Sequence, residues 1–357
     1  NRAATLMAAN IAELPDGTYS AEDFLDNDGI VDVPLKIALD LTIKGDRMVL
    51  DFSRSAKACA GPVNIALSTA VASVYVAIKH MFTDVPANGG VLEPIETIIP
   101  GDSLLSVRAP KPVGGYTETI LRIIDVIFCA IAQVAPERVN GCAYGTINAL
   151  SLAGHRQNGS RWVMFSFFGG GHGGHPDGDG LNHGNAPIST ATIPPAEILE
   201  AAYPVMFTQW ALRPDSGGPG RHRGGLGAVY EIELLEDKAD AFVFGERGKF
   251  GPPGVLGGKA GARNLFRYEQ DDGYHHPPQI SKMVGIKIAR GQHLRLETPG
   301  GGGYGAPDQR DPGAVARDVA LGYVTPTSAE TDYLVVLDAQ GDPDMPATLC
   351  LRKAAQS

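Results

Sequence analysis

The stretch Asp215-Ser216-Gly217-Gly218-Pro219-Gly220-Arg221-His222-Arg223-Gly224-Gly225-Leu226-Gly227 sets three basic side chains among six glycines. Glycine permits turns and close backbone approaches that other residues cannot make, so this segment predicts compact irregular structure in place of a helix or strand. Its donors could hold a phosphate or carboxylate. Alternatively, it is a structural turn in which Asp215 and the arginines pair. Our candidate catalytic residues are Asp215, Arg221, His222 and Arg223.

The sequence after this stretch alternates between apolar and polar residues, which predicts strands. The predicted strands are 229–235, 241–246, 264–268, 285–289 and 294–298, followed by a helix at 312–321 and a last strand at 333–337. Upstream, a strand at 162–168 and a short helix at 196–203 flank a glycine–histidine loop at 169–184. The second half is therefore predicted to be mostly antiparallel β with glycine-rich loops.

The first half has apolar residues at helical spacing in three places and one hairpin. The predicted helices are 2–14, 65–82 and 118–134, and the hairpin strands are 35–43 and 48–52. Early helices and late strands favour an α+β fold, with helices and a mixed sheet first. A polar interruption, Gln157-Asn158-Gly159, suggests two parts, residues 1–154 and 155–357.

Composition bounds the class of protein. The 357 residues carry a net charge of −10 and contain no lysine- or arginine-rich run, which argues against a nucleic-acid binder. No apolar run is long enough for a membrane span. The four cysteines form no CxxC pair, so we expect buried, reduced thiols and a cytoplasmic location. Because residue 1 is Asn, the start is expected to be processed or cut from a longer chain.

Histidines and carboxylates are concentrated in residues 169–183. His172, His175 and Asp177 could converge on one metal ion, because the intervening glycines let the backbone fold back, and His183 follows closely. The alternative is a mobile or interface loop with structural glycines, since metal sites usually draw ligands from stable elements. We keep His172, His175 and Asp177 as candidate ligands.

Two further glycine-rich segments invite a binding interpretation. Gly114-Gly115-Tyr116-Thr117-Glu118 opens a predicted helix, where an anion could bind or Thr117 could cap the first turn. We take Gly114, Gly115, Tyr116 and Glu118 as candidate substrate-binding residues. The run at 299–305 lacks the Gly-Lys-Ser/Thr ending of a P-loop, and it is therefore a weak nucleotide motif.

Several of these segments, taken in order between residues 10 and 333, resemble the hydantoinase B family. The most specific likeness is the stretch 215–227. The supporting motifs are Asp51-Phe52-Ser53, Gly61-Pro62-Val63-Asn64, Pro86-Ala87-Asn88-Gly89-Gly90, Gly114 to Thr119 with Arg122 and Asp125, Gly300 to Gly305 with Pro307, Arg310-Asp311-Pro312, Val315, Asp318-Val319 and Gly322. The chain departs from the family pattern at Tyr116, where the family has Asn, and at Ile120-Leu121, where it has Ser-Gln.

The resemblance implies a subunit of a multi-subunit enzyme. Members of the family include ATP-dependent hydantoinases, 5-oxoprolinases and lactamases, and relatives include acetone and acetophenone carboxylases. A hydantoinase A-like partner would bind ATP with Mg and phosphorylate the substrate, and the two would form a higher hetero-oligomer. A divalent metal, Zn or Mn, would be held mainly by a segment upstream of Asn1. Ketone carboxylation and a non-catalytic scaffold role remain alternatives to cyclic amide hydrolysis.

Overall fold

The computed structural model describes residues 2–189 and 194–355. The chain divides into two compact units, residues 1–140 and 141–357. The expected boundary near residues 154–155 lies instead inside a hairpin of the second unit. Residues 157–159 are the turn of that hairpin, where the amide of Arg156 donates to the carbonyl of Ser160 at 2.8 Å and Gly159 has a φ of 80°. A polar turn and a linker have similar compositions, and only strand pairing distinguishes them.

The first unit is a mixed sheet with helices. Its elements are α1 (Arg2–Ala12), β1 (Gly17–Leu25), β2 (Leu35–Lys44), β3 (Arg47–Asp51), α2 (Leu67–Met81), β4 (Ile95–Ile98) and α3 (Tyr116–Ile131). The sheet order is β1-β2-β3-β4, with antiparallel pairing except between β3 and β4, which are parallel. Helix α3 packs on β1 and β2 and against α2. The predicted helices and hairpin are confirmed, whereas β1 and β4 were not predicted.

The second unit contains two antiparallel sheets. Its elements are β5 (Ala149–His155), β6 (Arg161–Phe167), α4 (Ala196–Ala202), β7 (Val205–Leu212), β8 (Ala228–Leu234), β9 (Lys238–Phe244), β10 (Leu265–Gln270), β11 (Gly273–His275), β12 (Lys282–Ala289), β13 (His293–Glu297), α5 (Pro312–Ala320), α6 (Pro326–Tyr333) and α7 (Met345–Ala354). The strand orders are β11-β10-β13-β8-β7 and β12-β9-β5-β6. Strands of both sheets contribute to one hydrophobic core, which we call the two-sheet core, and the α+β class is confirmed.

The predicted last strand at 333–337 is wrong. Tyr333 ends α6, and Val335 follows in irregular structure. Both side chains are buried in a small C-terminal core with residues of α5 and α6. The alternation mimics a strand here because Tyr333 and Val335 are both buried in this core, although one ends a helix and the other lies in irregular structure.

Glycine-rich segments form the remainder of the second unit. Residues 169–184, 215–227, 251–261 and 299–305 lie side by side, and we call them the glycine bundle. Their backbones bond to one another in turn: the amide of Gly225 donates to His172 at 2.7 Å, Gly301 to Gly225 at 2.9 Å, and Gly218 to Gly301 at 2.8 Å. A Cβ added to Gly171 would lie 1.8 Å from the carbonyl oxygen of Gly225. Only glycine permits backbones to approach this closely.

In the described parts of the chain, no helix combines the length and apolar character that a membrane crossing requires.

Candidate functional site

A charged cluster, buried except for one partly exposed carboxylate, lies at one end of the glycine bundle. We call its four residues, Asp179, Arg223, Arg310 and Asp318, the arginine–aspartate network. The guanidinium of Arg310 holds both carboxylate oxygens of Asp179, at 2.6 and 2.7 Å, and also donates to Asp318 at 2.7 Å. Arg223 Nε lies 3.3 Å from the same oxygen of Asp318. Two cations thus balance two anions, as buried charges require.

Contacts within the network shift the pKa values of Asp179 and Arg310. Burial would raise the pKa of Asp179, but the hydrogen bonds and charge of Arg310, together with the charge and amide of Arg223, outweigh that effect and lower it. Burial would likewise lower the pKa of Arg310, yet Asp179 and Asp318 raise it well above its ordinary value. Asp179 therefore remains charged at neutral pH, as does Arg310, and the network acts as a structural anchor.

This anchor holds the backbone of Arg221 and His222. The Nη1 of Arg310 donates to the carbonyl of Arg221 at 3.1 Å, and Asp179 accepts from the amide of Arg223 at 2.7 Å. The amide of His222 donates to Tyr304 at 3.0 Å, and the amide of Tyr304 donates back to His222 at 2.9 Å. The segment is therefore fixed on both sides along its backbone.

The side chains of Arg221 and His222 are more accessible than the largely buried network that holds their backbone. Arg221 is exposed and His222 is partly buried. Within the described residues, neither side chain makes a hydrogen bond or an ion pair. Two basic groups on a rigid backbone are thus available to a ligand, which is the arrangement that preorganised anion binding needs.

His175 lies on a neighbouring segment that packs against His222. The position of a Cβ on Gly174 would lie 2.5 Å from the carbonyl oxygen of His222, so the two segments touch. Burial, then the charges of Arg221, Arg310 and His175, lower the pKa of His222 against the opposing charge of Asp179. His222 is therefore mostly neutral near pH 7, and it can accept a proton. We call Arg221, His222 and His175 the basic end of the bundle.

Asp215 does not belong to this end. Its exposed carboxylate accepts the amide of Thr325 at 2.8 Å, and its own amide donates to Tyr323 at 3.0 Å. Its φ of 56° places it in the left-handed region, where Asp is tolerated. Asp215 therefore holds Thr325, the N-cap residue of α6, against the loop, and the carboxylates that pair with the arginines are Asp179 and Asp318.

The three candidate metal ligands are not brought together. His172 Nε2 bonds the carbonyl of Asn185 at 2.6 Å, whereas His175 Nδ1 accepts from the amide of the exposed Asp177 at 3.3 Å. His183 bonds the hydroxyl of Tyr230 instead, and burial lowers its pKa. Over residues 2–189 and 194–355, no group of three or more His, Cys, Asp or Glu is placed to hold a metal. These residues do not fit a divalent metal, because each imidazole is committed to a different partner.

The candidate substrate-binding residues lie in the first unit, at the start of α3. Gly115 caps this helix without a side-chain bond, so the expected Thr117 cap is wrong. The amide of Gly115 donates instead to the carbonyl of Pro62 at 2.9 Å. Gly114 and Tyr116 are exposed, while Glu118 is fully buried on the helix face that carries Arg122. Of the four candidate residues, only Gly114 and Tyr116 are therefore accessible.

Sequence reasoning missed the role of three residues. Asp179 lies in the histidine loop, whereas Arg310 and Asp318 lie in motifs that carried only the family likeness. For two of them the sequence holds one local signal: Arg310 and Asp318 are eight residues apart, one just before and one within a predicted helix. The pairing of Arg310 with Asp179 spans 131 positions, and no local pattern reveals a contact at that separation.

Comparison with known proteins agrees with this architecture. The sequence profile of the family described as Hydantoinase B/oxoprolinase matches residues 1–307. An uncharacterised protein of Methanocaldococcus jannaschii is 32% identical over 93% of this chain and 58% of its own length. The caprolactamase subunit beta of Pseudomonas jessenii is 29% identical over 98% of this chain and 61% of its own.

Two solved structures are also similar. The ATP-dependent caprolactamase of Pseudomonas jessenii superposes with a TM-score of 0.87 at 27% identity, covering 98% of this chain and 62% of that one. An acetone carboxylase chain gives a TM-score of 0.83 at 20% identity, covering 99% and 54%, and shows the shared fold. The chain spans about 60% of the length of the curated relatives it matches first. On the match to residues 1–307, this chain belongs to the Hydantoinase B/oxoprolinase family.

Proposed function

We propose that this chain is the hydantoinase B-like subunit of an ATP-dependent hydrolase of cyclic amides, such as a hydantoin, oxoproline or lactam. The single observation that carries the proposal is the basic end of the bundle, where Arg221 and His222 stand without side-chain partners among the described residues. Family membership and the likeness to caprolactamase support the same reaction class.

The chemistry needs an activated substrate. A cyclic amide is a poor electrophile, but phosphorylation of its carbonyl oxygen makes the ring carbon open to attack by water. The exposed guanidinium of Arg221 suits the phosphoryl oxygens, because it offers donors in a planar fork. His222, mostly neutral near pH 7, can take a proton from the water as its oxygen bonds to the ring carbon, while the ring nitrogen gains the electron pair of the C=N bond and a proton. Return of the proton from His222 to the nitrogen then lets the C–N bond break, which leaves an acyl phosphate that a second water hydrolyses to the carboxylate and inorganic phosphate.

The phosphorylation itself is assigned to a partner. We propose a hydantoinase A-like subunit that binds ATP with Mg, in a hetero-oligomer with this chain. Support comes from the name of the similar caprolactamase chain, which is a beta subunit. We propose that a divalent metal such as Zn or Mn, if the complex uses one, is bound outside the described residues, because they do not fit it. Sedimentation of the native protein should show the two subunits together; a fully active preparation of this chain alone would contradict this.

The deciding experiment measures ATP turnover by the purified complex with hydantoin, 5-oxoproline or caprolactam. Arg221→Ala and His222→Ala should each lower kcat/KM by about ten- to a hundredfold, the loss expected for one charge-assisted contact. Arg290→Ala is the matched control, because Arg290 pairs with Asp237 on the exposed surface. The melting temperature should change little in all three.

Other outcomes select other functions. Turnover that requires a ketone and bicarbonate, with no response to cyclic amides, would favour the carboxylase alternative. If Arg221→Ala and His222→Ala leave turnover unchanged in a folded complex, the basic end is structural and the scaffold alternative gains support.

A further inference from the structure

The anchor beneath the basic end is built partly by the C-terminal part of the chain, where family-like motifs continue past the profile match. The matched residues end at 307, whereas Arg310 and Asp318 lie beyond them. Arg310 lies between a 3-10 turn, Pro307–Gln309, and α5. The C-terminal helices α5 and α6 have a small hydrophobic core of their own, so they present Arg310 and Asp318 from a separately packed element.

Arg310 contacts Asp179, Asp318 and the backbone of Arg221 through its two terminal nitrogens. Nη1 donates to Asp179 at 2.6 Å and to the carbonyl of Arg221 at 3.1 Å. Nη2 donates to Asp179 at 2.7 Å and to Asp318 at 2.7 Å. Both terminal nitrogens therefore have protein acceptors, and the residue is only 4% exposed. Arg310 is not placed to bind a ligand directly.

Charge balance leads to the same conclusion. Arg223 and Arg310 are matched by Asp179 and Asp318, so the network contributes little net charge to its surroundings. The positive charge offered to a ligand comes from the exposed Arg221. What Arg310 contributes is geometry, because it fixes the carbonyl of Arg221 while its partner Asp179 fixes the amide of Arg223.

We propose that Arg310 is a positioning residue, by which the C-terminal helical element sets the backbone of residues 221–223 and aims Arg221 and His222 at an anionic substrate group. The inference rests on the proposed function of the basic end. A displacement of about 1 Å at reacting groups can cost about a hundredfold in rate, so a rigid hold on this short segment has a direct consequence for turnover.

The first test is Arg310→Lys, which keeps the charge but cannot hold Asp179, Asp318 and the Arg221 carbonyl in one planar fork. The matched control is Asp311→Ala. Asp311 caps α5, accepting from Ala314 at 2.9 Å, and within the described residues its side chain makes no hydrogen bond or ion pair with the network. Both changes should lower stability modestly, and only Arg310→Lys should lower kcat/KM of the folded complex, by about ten- to a hundredfold.

A second readout is independent of turnover. The NMR signal of the His222 ring would be followed against pH and inorganic phosphate in the full chain. The charged and titratable groups that face this ring are Arg221, Asp179, Arg310 and His175. In Arg310→Lys, the titration midpoint of His222 should rise, because Asp179 is less well neutralised. Phosphate should bind at least about tenfold more weakly, the loss expected when one charge-assisted contact is misplaced. Asp311→Ala should leave both unchanged.

The possible results of these measurements distinguish the positioning role of Arg310 from the proposed function. Parallel behaviour of Arg310→Lys and Asp311→Ala in both readouts would overturn the positioning role. A changed His222 signal and weaker phosphate binding without any effect on turnover would support positioning while refuting the proposed function. Should Arg310→Lys fail to fold, Asp318→Asn loosens the same guanidinium while leaving Asp179 in place, and the same two readouts decide.

Discussion

In the two-sheet core, side chains fill the space between backbones, whereas in the glycine bundle the backbones themselves touch. Ile232 and Leu294, for example, lie buried between the sheets with no polar atom in their side chains. Gly171 and Gly225 instead face one another with room for no Cβ at all. The core is therefore stabilised by apolar burial, and the bundle by hydrogen bonds between closely packed backbones.

This difference has a functional consequence. A hydrophobic core tolerates substitutions of similar volume and adjusts around them. Where backbones are in direct contact, no side chain can change rotamer to relieve a clash. The positions of side chains attached to the bundle are therefore restricted to a narrow range. The basic end of the bundle lies on the rigid region, as preorganised binding requires. The comparison predicts that small changes should be severe in the bundle and mild in the core.

The largest effect is expected from one added methyl group in the bundle. Gly171→Ala would place a Cβ 1.8 Å from a carbonyl oxygen, which must move. We expect a loss of at least about 3 kcal/mol in unfolding free energy, at or beyond the usual upper range for overpacking. Gly101→Ala is the control, because its Cβ would meet no atom within 4 Å. Denaturant unfolding measures both. Equal stabilities would show that the bundle can adjust.

A smaller effect, dependent on pH, is expected from the network. Asp179→Asn should lower the unfolding free energy at neutral pH by about 1–3 kcal/mol, because Arg310 and Arg223 lose a charged acceptor. Since the folded pKa of Asp179 lies below its ordinary 3.8, its contribution is complete above that pH and is lost as pH falls through the lowered value. The difference between wild type and variant should therefore shrink below about pH 3.8. A difference that is constant down to pH 2 would contradict the assignment of the charge to Asp179.

The smallest effect is expected in the two-sheet core. Ile232→Val removes one methylene from a residue that is 1% exposed, and it should cost about 0.5–1.5 kcal/mol. Thermal unfolding measures it. A loss as large as that of Gly171→Ala would remove the distinction between the two regions.

Much of the fold follows from local pattern. The helical spacing in Ile123, Ile127 and Ile131 and the alternation in β8 and β13 depend only on neighbours along the chain, because the periods of helix and strand are local properties. The strands β5 and β7 were missed, since their alternation is interrupted by small or polar residues such as Gly154 and Thr208. The ordered motifs were also sufficient to indicate the family.

What only the tertiary structure decided is which of the glycine-rich segments meet, and therefore where the charges lie. The sequence predicts glycine-rich loops at 169–184 and 215–227, but glycine has no side chain by which a pattern could signal its neighbour. The structure pairs Asp179 with Arg310 rather than Asp215 with the arginines, and it separates His172 and His183 from His175. Contacts between backbones distant in sequence depend on the folded chain as a whole, and no residue type encodes them locally.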